Sequence, residues 1–386
     1  MNQVHHSSRL EISRSAIQQN LKFLNRVIRK NVLISSVVKG NAYGHGIEDY
    51  IPLAEEAGYE HFSVFSAEEA YRVTQVSYKK GPIMIMGFLD DDAIDWAISH
   101  DIEFYIFNLD RMNRTLSIAK KRKKVAKIHL EVETGMNRTG VNVPDLDPYL
   151  ELIKANPAHL HFAGLCTHFA GAESITNYYR IKQQQKQFEK AQNKVSLYGL
   201  SPERNHVACS AAALRYPKSQ LDMVRLGIIQ YGFFPTNEVL IEYLAKRKVS
   251  NNPLKRLISW KSRVMDVKDV KTGEFIGYGT SYLAGHPMKI AIVPIGYGQG
   301  FSRSLSNQGR VLIRGQRVPV IGTVNMNMLT IDITRLGGVE LGDEVVLIGK
   351  QGDLEISVAS FGELSDQLNY ELLTRLPMDI PRLIVD

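Results

Sequence analysis

Cysteine is scarce in this chain, and long apolar runs are absent from it. The 386 residues include only two cysteines, Cys166 and Cys209, which is too few for a disulfide framework and is typical of a reducing compartment. No apolar run is long enough to span a membrane, and the first residues lack the apolar segment of a signal peptide. We therefore expect a cytoplasmic protein without a membrane partner.

The chain also has no large excess of positive or negative residues, because its net charge is only +7. One basic run stands out, KKRKK at residues 120–124, but no aromatic residue lies beside it. A nucleic-acid footprint combines clustered basic residues with a suitable surface or motif, and a single run of five lacks that context. We interpret the run as the solvated end of a helix and predict no nucleic-acid partner.

Apolar, β-branched runs alternate with helical patterns over the first two thirds of the chain. Helical spacing of apolar residues predicts helices over 13–28, 47–57, 67–73 and 174–197. Eight strand–helix alternations within about 250 residues predict a parallel (β/α)8 barrel, a TIM-like fold, with a doubly wound sheet as the alternative. The eight predicted strands are 32–38, 61–65, 83–87, 103–107, 127–132, 160–167, 204–208 and 223–225.

The sequence pattern changes after about residue 245. The segment KRKVSNNPLKRL, residues 246–257, is polar and rich in turn formers, which is typical of a linker. Short β-branched runs follow at 257–264, 289–294, 316–321, 328–333 and 344–348, separated by Gly and Asp turns. These runs predict a mostly antiparallel β domain. The predicted domains are 10–245, an α/β barrel, and 246–386, a β-rich domain.

The segment SSVVKGNAYGHG, residues 35–46, places Lys39 at the end of the first predicted strand, before a glycine-rich loop. The active sites of (β/α)8 barrels lie at the carboxyl ends of their strands. Partial desolvation of a lysine there lowers the pKa of its amine and makes it a nucleophile toward an aldehyde. For Lys39 alone, a surface lysine beside a loop is the simpler explanation.

Polar residues also follow or end the last four predicted strands. A hydrogen-bonded core histidine, a helix cap or a salt-bridge partner would explain each of them alone. Four such residues at the rim that also holds Lys39 indicate an active site instead. They are Arg138 after the fifth strand, His168 after the sixth, Ser210 after the seventh and Arg225 in the eighth.

Seven motifs in this sequence occur in the order in which they occur in the alanine racemases. They are VVKGNAYGHG, VETGMNRTG, THFA, MVRLGIIQYG, GYGTSY, VPIGYGQG and LNYELLTRLP, and they extend over nearly the whole chain. The sequence therefore resembles this family of fold-type III enzymes, which use pyridoxal 5'-phosphate (PLP). The resemblance implies an isomerase that racemises a small amino acid, L-alanine to D-alanine first of all, as a precursor for the cell wall.

The resemblance also implies catalytic roles. Lys39 would bind the cofactor covalently and act as one base, and Tyr278 would act as the other on the opposite face of the substrate. Arg225 would contact the pyridine nitrogen of the cofactor. Because arginine keeps its proton, that nitrogen would stay unprotonated, and the cofactor would be a weaker electron sink. Because a phenol is a poor base, the neighbours of Tyr278 must lower its pKa, and His168 would be a relay through Arg225.

Further binding roles follow from the same resemblance, and no metal site is among them. The cofactor phosphate would bind Tyr43, Ser210, Tyr370 and the backbone N–H groups of Gly227 and Ile228. The substrate carboxylate would bind Arg138 and the backbone of Met326, while Tyr297 and Tyr370 would narrow the entrance. In the family, the residues at the positions of Tyr278 and Met326 reach the partner subunit's barrel, which implies a head-to-tail homodimer.

The sequence departs from the family at several positions. Glu131 stands where many members have a lysine that can be carbamylated, and we predict that it pairs with Arg138. The other departures put the identity of the substrate in doubt, so serine or a broader set of small amino acids is an alternative. They are Cys209, Leu226, Gln299, Thr323, Asn325 and Asn327.

Other PLP proteins remain alternatives. A non-catalytic PLP-binding protein would share the barrel but lack the second domain and Tyr278. Decarboxylases of this fold prefer an acidic partner at the pyridine nitrogen, where this sequence has Arg225. Metal-assisted aldolases need a His/Asp or His/Cys pair late in the chain, and no convincing pair is present, since His286 is the last histidine.

Overall fold

A computed structural model describes residues 6–358 and 369–386, without the side chains of residues 369 and 370. The contacts divide the chain into two compact units. We name them the barrel unit, Ala16–Lys39 with Ile51–Lys255, and the sheet unit, Met1–Ser15 with Gly40–Tyr50 and Arg256–Asp386. The division into domains at residue 245 that the sequence suggested stays a prediction.

Strands and helices alternate through the barrel unit, and strands dominate the sheet unit. The α-helices in the described residues are Arg14–Val27, Ile47–Ala57, Ala67–Val76, Asp91–Ser99, Leu109–Arg122, Asp147–Ala155, Tyr178–Leu197, Ser210–Arg215, Asn237–Arg247 and Asn369–Thr374. The described strands are β1 (Ser8–Ser13), β2 (Leu33–Val37), β3 (His61–Val64), β4 (Ile83–Ile85), β5 (Glu103–Ile106), β6 (Ala126–Glu133), β7 (Val141–Asn142), β8 (Leu160–Cys166), β9 (Arg204–His206), β10 (Met223–Leu226), β11 (Ile258–Arg263), β12 (Asp266–Val270), β13 (Met288–Val293), β14 (Arg310–Ile313), β15 (Gln316–Ile321), β16 (Leu329–Asp332), β17 (Glu344–Gln351), β18 (Leu354–Ile356) and β19 (Arg382–Val385).

Eight parallel strands form the barrel, in the order β10-β2-β3-β4-β5-β6-β8-β9, with β7 beside β6. The gap between β9 and β10 is bridged where the N–H of Arg225 donates to the carbonyl of Ala208, 2.9 Å away. The barrel is therefore nearly closed. All eight predicted strands are present within a few residues of their predicted bounds, so the (β/α)8 prediction is confirmed and the doubly wound alternative is wrong.

Side-chain caps fix the starts of several barrel helices. Asp90 and Asn108 each accept a hydrogen bond of 2.8 Å from a backbone N–H of the first helical turn, and Thr236 does so at 3.3 Å. The helix Leu109–Arg122 ends at Lys123 in the left-handed conformation, and residues 120–124 are all exposed. The basic run is thus a solvated helix end, as predicted.

The sheet unit holds one sheet in the order β12-β13-β16-β15-β14-β17-β11-β1-β19, with β18 beside β17. The pairing is antiparallel except between β1 and β19, so the predicted antiparallel domain is confirmed. The sequence reading missed β1, β12, β14, β18 and β19. In the part of the chain that the structure describes, no helix combines the length and apolarity that crossing a bilayer requires.

Candidate active site

A left-handed turn follows Lys39. The φ angles of Gly40, Asn41, Ala42 and Tyr43 lie between 51° and 63°, and for residues other than glycine this conformation costs about 1–2 kcal/mol each. The N–H of Gly44 closes the turn by donating to the carbonyl of Gly40 at 2.9 Å. The sequence pattern of this loop did not predict four successive residues in this conformation.

Two residues after the turn hold it in place. At Gly44, a Cβ atom would lie 1.9 Å from the carbonyl oxygen of Leu373, so no other residue fits there. The buried His45 ring bonds through Nδ1 to the carbonyls of Ala42 and Tyr43 at 2.9 and 3.0 Å. Burial lowers the pKa of His45 to about 4, so this imidazole is neutral and its Nδ1–H donates.

Lys39 lies at the carboxyl end of β2, as predicted. The residue is exposed to solvent, but protein atoms around the amine partly desolvate it. This desolvation lowers the pKa of Lys39, and the positive charge of Arg138 lowers it further. Lys39 forms no ion pair with any described residue. The position and the lowered pKa suit an amine that must react as the free base.

Arg225 is buried at the end of β10, and the barrel holds its guanidinium on two sides. One terminal nitrogen donates to Nδ1 of His206 and, at 3.0 Å, to the carbonyl of the same residue. The other donates to the carbonyl of Thr167 at 2.7 Å. No described protein atom accepts a hydrogen bond from Nε–H, so this donor is available to a ligand.

His168 follows β8 and lies among positive charges. Burial, together with Arg225, Arg138 and Lys39, lowers the pKa of His168 to about 3, so its imidazole is neutral. Among the described residues no hydrogen bond joins the His168 ring to Arg225, so the predicted relay of His168 through Arg225 has no direct contact in the structure. The imidazole that binds Arg225 is that of His206, because β9 lies directly beside β10.

The loop that carries Arg138 is organised by Glu133, a residue that the sequence reading did not single out. The carboxylate of Glu133 accepts hydrogen bonds from the backbone N–H groups of Met136 at 2.7 Å and Asn137 at 2.8 Å. It also accepts from Gly135 and, weakly, from Arg138. The loop is thereby fixed while the Arg138 side chain remains exposed. A carboxylate directly before a Thr-Gly turn was the available signal.

Glu131 is buried within β6, and burial raises the pKa of its carboxyl group. After burial, the Thr139 side chain has the largest effect on this pKa, and it lowers it. No ion pair joins Glu131 to Arg138 among the described residues, so the prediction of a direct pair is wrong. Arg225 and Arg138 act on the Glu131 carboxylate only through longer-range attraction, which also lowers its pKa.

Ser210, Gly227 and Ile228 meet at the rim between β9 and β10. Ser210 begins the helix Ser210–Arg215, and its hydroxyl oxygen accepts a hydrogen bond of 3.0 Å from the N–H of Gly227. Cys209 occupies the cap position of the same helix without making a side-chain cap. The structure therefore brings together the three predicted phosphate ligands of the barrel unit.

Tyr278, Tyr297 and Met326 lie on neighbouring loops of the sheet unit. The N–H of Gly298 donates to the carbonyl of Met326 at 2.8 Å, and the hydroxyl of Thr323 donates to the carbonyl of Tyr278 at 3.4 Å. All three side chains are exposed, that of Tyr278 by 73%. The structure thus groups three predicted site residues on one accessible surface.

Two predicted phosphate ligands remain. Tyr43 is half-buried in the left-handed turn, within the sheet unit. Tyr370 falls in the helix Asn369–Thr374, but its side chain lies outside the described residues. The roles assigned to all site residues stay predictions.

Comparison with known families identifies the chain. Residues 12–235 match the family model for the N-terminal domain of alanine racemase, and residues 257–384 match the model for its C-terminal domain. The chain belongs to the alanine racemase family. It is therefore a PLP-dependent amino-acid racemase, and the predictions of family, enzyme class and cofactor are confirmed.

Individual members of the alanine racemase family match along nearly their full length. The alanine racemase of Leptospira interrogans serovar copenhageni is 34% identical over 99% of this chain and 96% of its own. Alanine racemase 2 of Bacillus subtilis is also 34% identical, over 97% and 94%.

Solved structures of the family have the same fold. The structure of alanine racemase from Clostridium difficile superposes with a TM-score of 0.90 at 28% identity, covering 99% of this chain and 97% of its own. A structure from Bacillus anthracis with bound L-Ala-P gives 0.90 at 30% identity, covering 100% and 96%.

Proposed function

We propose that this chain racemises alanine, interconverting its L and D forms by a two-base mechanism. The observation that carries the proposal is the state of Arg225, a buried guanidinium held by His206 and Thr167 with Nε–H left over. This donor lies at the barrel rim that also carries Lys39 and Arg138. The names of the relatives support alanine as the substrate.

The residues at the barrel rim fit PLP. A pyridine nitrogen without a proton is an acceptor, and it matches the free Nε–H of Arg225. The amine of Lys39, with its lowered pKa, would bind the cofactor aldehyde. Ser210 and the N–H groups of Gly227 and Ile228 would hold the phosphate, together with Tyr43 and Tyr370.

PLP supplies a ring that withdraws electrons from a bound amino acid and makes its α-proton acidic. In our proposal, Lys39 Nζ takes or returns that proton on one face of the substrate. The hydroxyl oxygen of the partner subunit's Tyr278 does so on the opposite face. Because Arg225 keeps its proton, it leaves the ring nitrogen unprotonated, which favours reprotonation over side reactions.

We propose that a head-to-tail homodimer completes each site. The exposure of Tyr278 and Met326 on one surface of the sheet unit supports this, because large apolar side chains in a cluster mark interaction sites. Arg138 and the backbone of Met326 would bind the substrate carboxylate, and Tyr297 would restrict the side chain to a small one. Both cysteines are free, which supports a cytoplasmic enzyme.

The test is incubation of the PLP-loaded protein with L-alanine in deuterated water, with L-serine in parallel. We expect uptake of deuterium at the α-carbon, measured by NMR, together with D-alanine, measured by chiral chromatography. If serine is converted faster than alanine, serine and not alanine is the preferred substrate. Bound PLP without exchange on either amino acid would contradict the proposal and favour a non-catalytic PLP-binding protein.

Glu131 gives a prediction about substrate binding. Changing Glu131 to Gln should raise the KM for L-alanine about fivefold, because it removes a negative charge that attracts Arg138, worth about 1 kcal/mol. Steady-state kinetics of racemisation at pH 8 would measure the effect.

Thr139→Val is the matched control for this prediction, since it removes the hydroxyl group that lowers the pKa of Glu131 but keeps the charge of the carboxylate. Its KM should change less than that of Glu131→Gln. If Glu131→Gln left both kcat and KM unchanged, Glu131 would have no part in substrate binding.

A further inference from the structure

A chain of polar side chains crosses the interior of the barrel behind Arg225. It consists of His206 in β9, His129 in β6 and Glu103 in β5, and each of them is at least 97% buried. His206 Nε2 lies 2.8 Å from His129 Nδ1, and His129 Nε2 lies 2.8 Å from the Glu103 carboxylate. We name these three residues the histidine relay.

The hydrogen bonds of the histidine relay can run in only one direction. Arg225 has no acceptor atom, so Nδ1 of His206 must accept from it. The proton of a neutral His206 is then on Nε2, and it donates to Nδ1 of His129. The proton of a neutral His129 is in turn on Nε2, and it donates to Glu103. Every ring nitrogen is satisfied, and the two ends carry opposite charges.

The charges of the buried groups agree with this direction. Burial lowers the pKa of both histidines, most strongly that of His206, where Arg225 adds to the effect. Burial alone would raise the pKa of Glu103, but donation from His129 and His61 lowers it far below its usual range. Two neutral imidazoles thus join a guanidinium to a carboxylate.

The surroundings are shaped to hold this arrangement. A Cβ atom at Gly164 in β8 would lie 2.1 Å from Nδ1 of His129, so the glycine makes room for the ring. Arg204 binds the carboxylate of Glu103 at 3.2 Å, and His61 contacts it at 3.4 Å. Three side chains, those of His129, Arg204 and His61, therefore hold the Glu103 carboxylate. A buried network in which every polar group has a partner is more rigid than an isolated hydrogen bond.

We propose that the histidine relay, ending at Glu103, is a positioning device for Arg225. It holds the guanidinium by one nitrogen of His206 and so fixes the direction of the remaining Nε–H. It is not a proton path, because Arg225 does not release a proton. This inference rests on the proposed role of Arg225 toward the cofactor, and it assigns a function to His129, Glu103 and His61 in the same site.

The test uses PLP-loaded protein with 15N-labelled histidine. We expect the 15N NMR signals of His129 and His206 to be those of neutral rings with the proton on Nε2. Glu103→Gln should move the signals of His206 as well, although Glu103 does not touch that ring. The Glu103→Gln variant should also have a kcat about tenfold lower, with a smaller change in KM. This size is typical for the loss of a residue that orients a metal ligand through a hydrogen bond, and Glu103 would orient Arg225 in a similar way.

Glu55→Gln is the matched control, because Glu55 is also a buried carboxylate of the barrel unit but is bound by Ser77 and Tyr78. It should leave the signals of His206 in place.

Two results in the wild-type spectrum would overturn the proposal: a proton on Nδ1 of His206, or a protonated ring of His129 or His206. Equal spectra for Glu103→Gln and the wild type would overturn it as well. The wild-type spectrum tests the direction by itself, even if Glu103→Gln does not fold. If the protein shows the expected spectrum but has no racemase activity, the histidine relay is supported and the proposed function is contradicted. A failure of the relay can therefore be distinguished from a failure of the proposed function.

Discussion

Changing Lys39 to Ala should lower racemisation about 10⁴-fold or more, because the variant loses both a positioned base and the amine that binds the cofactor aldehyde. The covalent attachment of PLP, seen in its visible absorbance and by mass spectrometry after borohydride reduction, should disappear with the activity. Added methylamine should restore part of the activity, since a small free amine can occupy the space of the missing side chain.

Lys127→Ala is the control for the loss of a lysine. Lys127 lies at the amino end of β6, where it binds Asp101 at 2.5 Å, so its loss should leave racemisation unchanged. A Lys39→Ala variant that kept covalent PLP or more than a tenth of the activity would exclude Lys39 as the cofactor lysine.

Changing Tyr278 to Phe should lower racemisation about 10³-fold while PLP stays bound, because the variant loses only the proton carrier of the second face. The hydroxyl group is the single difference between the two side chains. Chiral chromatography in both directions would measure the rates, and Tyr282→Phe, on the same loop, is the matched control. A Tyr278→Phe variant as active as the wild type would contradict the two-base mechanism.

The Tyr278→Phe and Lys39→Ala variants also test the homodimer when they are co-expressed with two different tags. In a mixed dimer, one site would receive Lys39 from one subunit and Tyr278 from the other, and the second site would receive neither. Random pairing should therefore restore about a quarter of the wild-type activity. Purified mixed dimers without activity would show that each site takes both residues from one chain.

The barrel could be predicted from sequence because its strands are covered on both faces and read as short apolar runs. Strands β3 and β5 are completely buried, and both were predicted. Strand β1 was missed, because only Leu10 and Ile12 of its six residues are apolar and buried. Two such residues do not distinguish a strand from an ordinary N-terminal segment.

The rim residues of the candidate site were accessible to sequence reasoning for a similar reason. Lys39, Arg138, Ser210 and Arg225 follow or end strands, and the carboxyl ends of barrel strands share one face. The histidine relay was not accessible in this way. Glu103 begins β5, and His129 is one of four charged or ionisable residues that alternate with apolar residues in β6. Their contact depends on the register of β5 with β6, which no local pattern specifies.

The two corrected contacts have a common cause. The family resemblance implied that Glu131 pairs with Arg138 and that His168 acts through Arg225, and the two arginines do affect the pKa values of Glu131 and His168. A family resemblance does not determine which neighbour a side chain contacts. Arg225 donates to His206 instead of His168, and Thr139 lowers the pKa of Glu131 more than Arg138 does.

The position of β1 has a consequence for folding during synthesis. It pairs with β11 through Ile12 and Ile258, and with β19 through Ser13 and Val385. A ribosome that adds about 5–20 residues per second needs tens of seconds to make the first of these partners after β1. Throughout that time both edges of β1 lack their final neighbours, so β1 leaves the ribosome well before it can be paired. The charged residues within β1, Arg9 and Glu11, would then discourage pairing with other nascent chains.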